Sequence, residues 1–206
     1  SFKIGFSTAA AATVAHATKP LLSDLVERSW VRTSNFQRFD LHEVIAQFCT
    51  QKSVDYQLRE SARDSHADYF ISMVKQAAHC FWNGDQCDAL KLIEADIENI
   101  IIAWQYLVER RLIGKFEPCI DMLYQFYIIR SPFSEGYKLF KDTLEMSQDL
   151  DPDDPIIGML SNRLGSFAHK LHKYDFAYDM FSNAFNIFTH TEKVFELGLS
   201  HLGLGQ

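Results

Sequence analysis

The chain has 206 residues, 47% of them hydrophobic, and a formal net charge of −7, which suits one sizeable domain or two small ones. Its acidic charge is spread along the chain, which makes it a poor electrostatic partner for nucleic acid. Seventeen Phe against nine Gly and five Pro favour packed helices over a many-stranded sandwich, and no stretch reaches the ~18–20 continuous apolar residues of a membrane span.

In chain order, residues 7–16 predict a short helix. Thr18 and Pro20 open a second, with Pro in the first turn, where its missing N–H costs little. This helix carries Leu21, Leu22, Leu25 and Val26 at helical spacing. Two short segments, residues 29–32 and 36–39, flank the polar Thr33-Ser34-Asn35 and predict a β-hairpin. Asp40 then precedes Glu43 by three residues, just ahead of Val44, Ile45 and Phe48. That capping-box arrangement predicts a helix starting at Asp40. Residues 1–52 therefore read as a partial winged-helix domain, and 53–206 as a helical domain.

Residues 58–82 place Ala62, His66, Tyr69, Met73, Ala77 and Cys80 on one helix face. In 86–110, Leu90, Ile93, Ile97, Ile100, Trp104 and Leu107 step alternately by three and four, a strongly amphipathic pattern. Phe116, Ile120, Leu123 and Tyr127 mark a further helix, and Tyr137, Phe140 and Leu144 the next. Residues 149–154, with Pro152 and Pro155, form the clearest break. Beyond it, Ile157, Leu160, Leu164, Ala168 and Leu171 share one helix face, and Ala177, Phe181, Ala184 and Phe188 the next. Small and large residues alternate there as two close-packed helices require.

This last pair resembles the tetratricopeptide repeat. Leu164-Gly165, Tyr174, Ala177, Phe181 and Ala184 fall at that motif's spacing. Ala168 stands where an aromatic is usual, Ser161 where a Trp is usual, and the terminal Pro is absent. Leu202-Gly203 is expected to start another repeat, with the array continuing past residue 206. The fold expected is mainly α: a small winged-helix remnant followed by a tetratricopeptide-like superhelix. Such arrays offer a concave binding surface. Asn162, Ser166, His169 and Lys170 are the expected groove residues, for an inducer peptide, a small molecule or a protein partner.

Residues 39–48, Phe-Asp-Leu-His-Glu-Val-Ile-Ala-Gln-Phe, carry a second resemblance. They look like the Met-His-Asp segment that ends the winged helix of signal-transduction ATPases with numerous domains (the STAND class). Residues 21–29 and 95–100 resemble two other segments of that family, in the right order. The resemblance implies the C-terminal part of a bacterial regulator, cytoplasmic, with an upstream nucleotide-binding domain that holds ADP or ATP with Mg²⁺. It also implies that His42 contacts an ADP phosphate and locks the inactive state. A His in the first turn of a helix begun at Asp40 agrees with this, because free N–H groups and the positive dipole end gather there. Lacking an initiator Met, the chain is expected to begin inside a longer protein.

The chain itself has no GxxxxGK[ST] loop and no apolar run ending in paired acids for Mg²⁺, so neither catalysis nor a cofactor of its own is expected. Its four cysteines, Cys49, Cys80, Cys87 and Cys119, form no CxxC pair and read as reduced thiols. His169 and His172 lack a third ligand for a metal. Residues 149–154 lack the Gly and closing Glu of a calcium loop. The segment 40–50 has no Lys or Arg, which argues against DNA contact. The leading expectation is a sensor and relay module of a nucleotide-switched regulator. The alternative is a constitutive tetratricopeptide scaffold for protein partners.

Overall fold

The computed structural model describes residues 5–34, 38–42, 44–45, 47–48, 56–130 and 132–205. These are mainly helical, with a small three-stranded sheet. Residues 35–37 of the hairpin, Glu43 and Ala46 of the capping segment, and Cys49 lie outside them. The chain divides into two compact units, Ser1–Tyr106 and Leu107–Gln206. Within the first, the long helix that follows the sheet region lies against the first helix of the chain.

In the first unit, β1 (Phe6–Ser7) runs into α1 (Thr8–Ala15), whose N-terminus is capped by the Ser7 hydroxyl accepting the Ala10 N–H at 3.1 Å. Thr18 caps α2 (Lys19–Glu27) in the same way, with Pro20 in its first turn. The hairpin follows as β2 (Val31–Ser34) and β3 (Arg38–Leu41). β1 pairs with the other edge of β3, so the sheet order is β1-β3-β2, antiparallel throughout. Phe6 stands opposite Phe39 and Val31 opposite Leu41.

That register corrects the expected helix start. Asp40 is not a helix cap; it lies inside β3, paired with Arg32. Residues 44–45 and 47–48 are helical, so the helix begins later than the capping-box pattern implied.

α3 (Tyr56–Trp82) buries Ala67, Phe70, Val74 and Ala77. α4 (Gln86–Glu109) buries Leu90, Ile93, Ile100 and Trp104, as its periodicity predicts. It is broken at Asp96, whose φ of −129° and ψ of 18° are not helical.

In the second unit two 3₁₀ turns, Ile113–Lys115 and Glu117–Cys119, precede α5 (Ile120–Arg130). Pro118 accounts for the late start, since it cannot donate to a helix extended back over Phe116. Then come α6 (Phe133–Met146), α7 (Pro155–Lys170), α8 (Tyr174–Thr189) and α9 (Val194–Leu204), each packed on the one before, except that the break at 149–154 separates α6 from α7 in sequence. Asp154 caps α7 by accepting the Ile156 N–H at 2.8 Å. Phe167, fully buried, meets Tyr124 and Tyr127 edge-on and leans on Phe140.

Glycines let phenylalanine rings approach the helix backbones. A Cβ at Gly158 would lie 2.6 Å from Phe188, one at Gly136 2.6 Å from Phe167, and one at Gly203 2.5 Å from Phe181. Phe181 also fits against Gly165. Gly158→Ala tests this packing. Alanine is the better helix former by about 1 kcal/mol, yet overpacking a filled site costs about 1–3 kcal/mol. The Phe188 ring is fully buried, so the variant should unfold at lower urea, by up to about 2 kcal/mol net.

Candidate functional site

His42 follows β3 directly. Its own N–H donates to the Trp30 carbonyl at 3.4 Å, and its Nδ1 accepts the Val44 N–H at 3.3 Å. The imidazole therefore takes the capping role that Asp40 was expected to fill. A ring nitrogen that accepts carries no proton, so the neutral ring bears its hydrogen on Nε2. Local structure thus sets His42 up as an N–H donor at the start of a helical segment.

Four residues before His42, on β3, Arg38 leads into a polar cluster that pattern reading missed. Its Nη1 and Nη2 donate to the two carboxylate oxygens of Asp96 at 3.0 and 2.6 Å, and Nη2 also donates to the Gly5 carbonyl at 2.6 Å. Asn99 Nδ2 donates to the same carboxylate at 3.0 Å and to the Gly5 carbonyl at 3.3 Å. The Asp96 hydrogen bonds outweigh the burial of Arg38 and hold its pKa above the ordinary value. Asp96 is also where α4 breaks, so the helix is interrupted at the residue that binds the sheet. The structure brings together two segments singled out in the sequence, 39–48 through its strand and 95–100 through Asp96 and Asn99.

His66 lies in the same unit on α3, 2% exposed, its ring 4.6 Å from that of Phe70. Burial pushes its imidazole down from 6.5 to about 4. In the unfolded chain the ring gains its proton near pH 6.5, while in the folded chain it stays neutral until about 4. Folding stability should therefore be full above pH 6.5 and fall as pH drops from 6.5 towards 4, by on the order of 2–3 kcal/mol. Urea titrations of the wild type and His66→Gln between pH 4 and 7.5 check this. The variant should lose the part of the slope that the wild type shows in that window.

The four expected groove residues do not form one surface. Asn162 is 1% exposed. Its Nδ2 donates to the Glu196 carboxylate at 2.9 Å and to the Glu196 carbonyl at 3.0 Å, and its Oδ1 accepts the Ser200 hydroxyl at 2.9 Å. It is a packing residue closed under α9 rather than a groove residue. Ser166, half-buried, donates back to the Asn162 carbonyl at 3.0 Å. His169 is half-buried with its ring 5.4 Å from Tyr174, and Lys170 is exposed.

Next to Asn162 is the second cluster that pattern reading missed. Arg163, 3% exposed, donates from Nη1 and Nη2 to the Glu196 carboxylate at 3.1 and 2.6 Å and from Nε to Asp121 at 2.9 Å. Its guanidinium stands 5.5 Å from the Tyr124 ring centre. Burial alone would lower the Arg163 pKa; Asp121 and Glu196 outweigh it, so the pKa stands raised. Lys193, just before α9, adds a bond to Glu117 at 2.9 Å.

Among the described residues no group of three or more His, Cys, Asp or Glu is placed to hold a metal ion, and no helix is long and apolar enough to cross a membrane. His172 has its Nδ1 2.8 Å from the Tyr174 hydroxyl. No family model, curated protein sequence or solved structure matches the chain.

Proposed function

We propose that this chain is a non-catalytic sensor and relay module of a nucleotide-switched regulator of the STAND class. In this reading the first unit holds a winged-helix remnant. The strand–helix–helix–hairpin order, with β1 beside β3, supports it. The Nε2–H of His42 donates to a phosphate of ADP held by a nucleotide-binding domain, which binds ATP with Mg²⁺ in the active state. The second unit takes an inducer or protein partner, and the molecule works in the cytoplasm.

The observation that carries the reading is continuity. His42 directly follows the strand whose Arg38 grips Asp96 at the break in α4. Loss of a phosphate at His42 would pull on β3 and so on a two-point ionic contact with a helix that is already interrupted. Allostery requires such differential contacts in two states.

The test is His42→Ala in the full-length protein. One hydrogen bond to a charged oxygen contributes about 1.5–3 kcal/mol, so ADP should dissociate at least tenfold more readily, roughly 1.4 kcal/mol, with higher basal signalling. Unchanged ADP retention removes the clamp. The scaffold reading has its own support in the buried Arg163–Glu196 pair, which fixes α9 without any nucleotide. It requires partner affinity to be the same with ADP and with ATP bound.

A further inference from the structure

Asn83-Gly84 is the only Asn-Gly pair in the chain, and it forms the turn between α3 and α4. Every residue from Trp82 to Asp88 is exposed. Gly84 has a φ of 109°, a conformation that glycine adopts freely and other residues rarely do. A Cβ built on it would meet nothing within 4 Å, so that side of the turn is open. The neighbours close the turn: the Asn83 N–H donates to the His79 and Cys80 carbonyls at 3.2 Å, and the Asp85 N–H to the Cys80 carbonyl at 3.0 Å. Among the described residues no hydrogen bond engages the Gly84 N–H. The Asn83 side chain is held by one bond, from its Nδ2 to the His79 carbonyl at 2.7 Å, and that bond is exposed.

An Asn carboxamide and the next main-chain nitrogen close a five-membered ring when that nitrogen is unbonded and its residue carries no bulk. Gly84 meets both conditions. Asn186 is the contrast: it is equally exposed, but it lies inside α8 and Ile187 follows it. There the next N–H is tied to a carbonyl four residues back, and a β-branched side chain crowds the approach. We infer that Asn83 is a self-modification site, which converts through a succinimide to an aspartyl or isoaspartyl residue. The Gly84 nitrogen, its proton taken by solvent hydroxide, attacks Asn83 Cγ. The N–Cγ bond forms, the Cγ–Nδ2 bond breaks, and Nδ2 leaves as ammonia with a proton from solvent. Water then adds to either ring carbonyl and reopens the ring. Water is the only other reactant, and nothing is oxidised or reduced. The product places a carboxylate where an N–H had covered the His79 carbonyl. That is the carbonyl end of α3, where negative charge is unfavourable. The isoaspartyl form also lengthens the main chain of the turn by one carbon. The modification therefore loosens the last turn of α3, as a covalent record of the molecule's age. No nucleotide or partner enters the step, so it goes beyond the reading above and is independent of it.

The test ages the folded chain in warm, mildly alkaline buffer and digests samples at intervals at low pH for mass spectrometry. Conversion is read as the mass change of an NH₂-to-OH exchange, and the isoaspartyl product by an isoaspartate-specific carboxyl methyltransferase. Asn83 should convert at least tenfold faster than Asn186, with isoaspartyl as the larger product. Gly84→Ala, which puts a Cβ beside the attacking nitrogen, should slow the conversion at least tenfold. Asn83→Gln, whose ring would need one more member, should abolish methyl acceptance at this site. Circular dichroism checks the fold of both variants, and the comparison with Asn186 stands in the wild type without them. Amide exchange over residues 79–85 should quicken at least threefold in the aged chain, and likewise in Asn83→Asp, which carries the charge from the start. Conversion no faster than at Asn186 overturns the inference, since the turn would then hold the carboxamide away from the nitrogen. A purely aspartyl product, or a rate indifferent to Gly84→Ala, overturns it in favour of direct hydrolysis. Unchanged exchange in both the aged chain and Asn83→Asp overturns the loosening of α3.

Discussion

Arg163→Ala should destabilise the second unit by about 3–5 kcal/mol, because removing one partner leaves the other charge buried without compensation. The stranded group is Glu196, 5% exposed, which also accepts from Asn162. Asp121, partly exposed, can turn to water and loses less. Against the 5–15 kcal/mol that holds a typical domain together, such a loss brings the unit close to unfolding at ordinary temperature. Trp30, Trp82 and Trp104 all lie in the first unit, so tryptophan fluorescence does not report the change. Amide hydrogen exchange in α7 and α9 does. The companion variant is Arg163→Met with Glu196→Leu. Replacing a whole buried pair by apolar residues of similar size is often neutral, and the Glu196 main-chain carbonyl that Asn162 also uses survives the change. Most of the lost stability should return. A double variant as unstable as Arg163→Ala would show that the ionic bonds themselves, and not the avoidance of a stranded charge, hold α9.

What was legible in the sequence followed apolar spacing. Leu160, Leu164 and Ala168 on α7, and Ala177, Phe181 and Phe188 on α8, are buried as their spacing predicts. Gly165 touches Phe181, as the repeat-like pattern suggests. The turn at 149–154 announced itself through its prolines and acids. β1 did not, since two residues are too few to show alternation. Asp40 misled for a physical reason: Asp followed by Glu before an apolar run reads as a cap, but pairing of Leu41 with Val31 extends the strand through it.

The polar clusters were illegible for another reason. Charged residues default to solvent, and nothing local distinguishes Arg163 or Arg38 from surface arginines. Their partners lie 33 and 58 residues away, so only the fold brings them together. α9 compounds the difficulty. Apolar spacing would place Val194, Phe195 and Leu202 inside, whereas Glu196 and Ser200 are the buried ones. A helix docked through buried polar residues reverses the rule on which periodicity depends, and the side-chain bonds to Asn162 and Arg163 are what stabilise the reversal.

Asp96→Ala is the second large effect, and it bears on function as well as stability. The change removes the acceptor of two Arg38 hydrogen bonds and one from Asn99. Arg38 is about a fifth exposed and keeps its bond to the Gly5 carbonyl, so the penalty falls below that of a fully buried pair, at about 2–3 kcal/mol. Removing Asp from a helix returns at most about 0.7 kcal/mol in propensity, too little to offset it. Urea unfolding followed by the fluorescence of Trp104, buried on the same helix, should show the loss. Asp96→Asn, which keeps one acceptor oxygen, should lose less. In the full-length protein the relay reading demands more than instability. If β3 carries the state of His42 to α4, the two sites act on one two-state element and their effects on ADP retention cannot be independent. His42→Ala combined with Asp96→Ala should then depart from additivity by more than about 0.5 kcal/mol. Strict additivity, with the fold of both single variants intact, would leave Arg38–Asp96 as a bond that only holds the sheet to the helix. The larger coupling is expected, because the strand joining His42 to Arg38 is four residues long and paired on both edges.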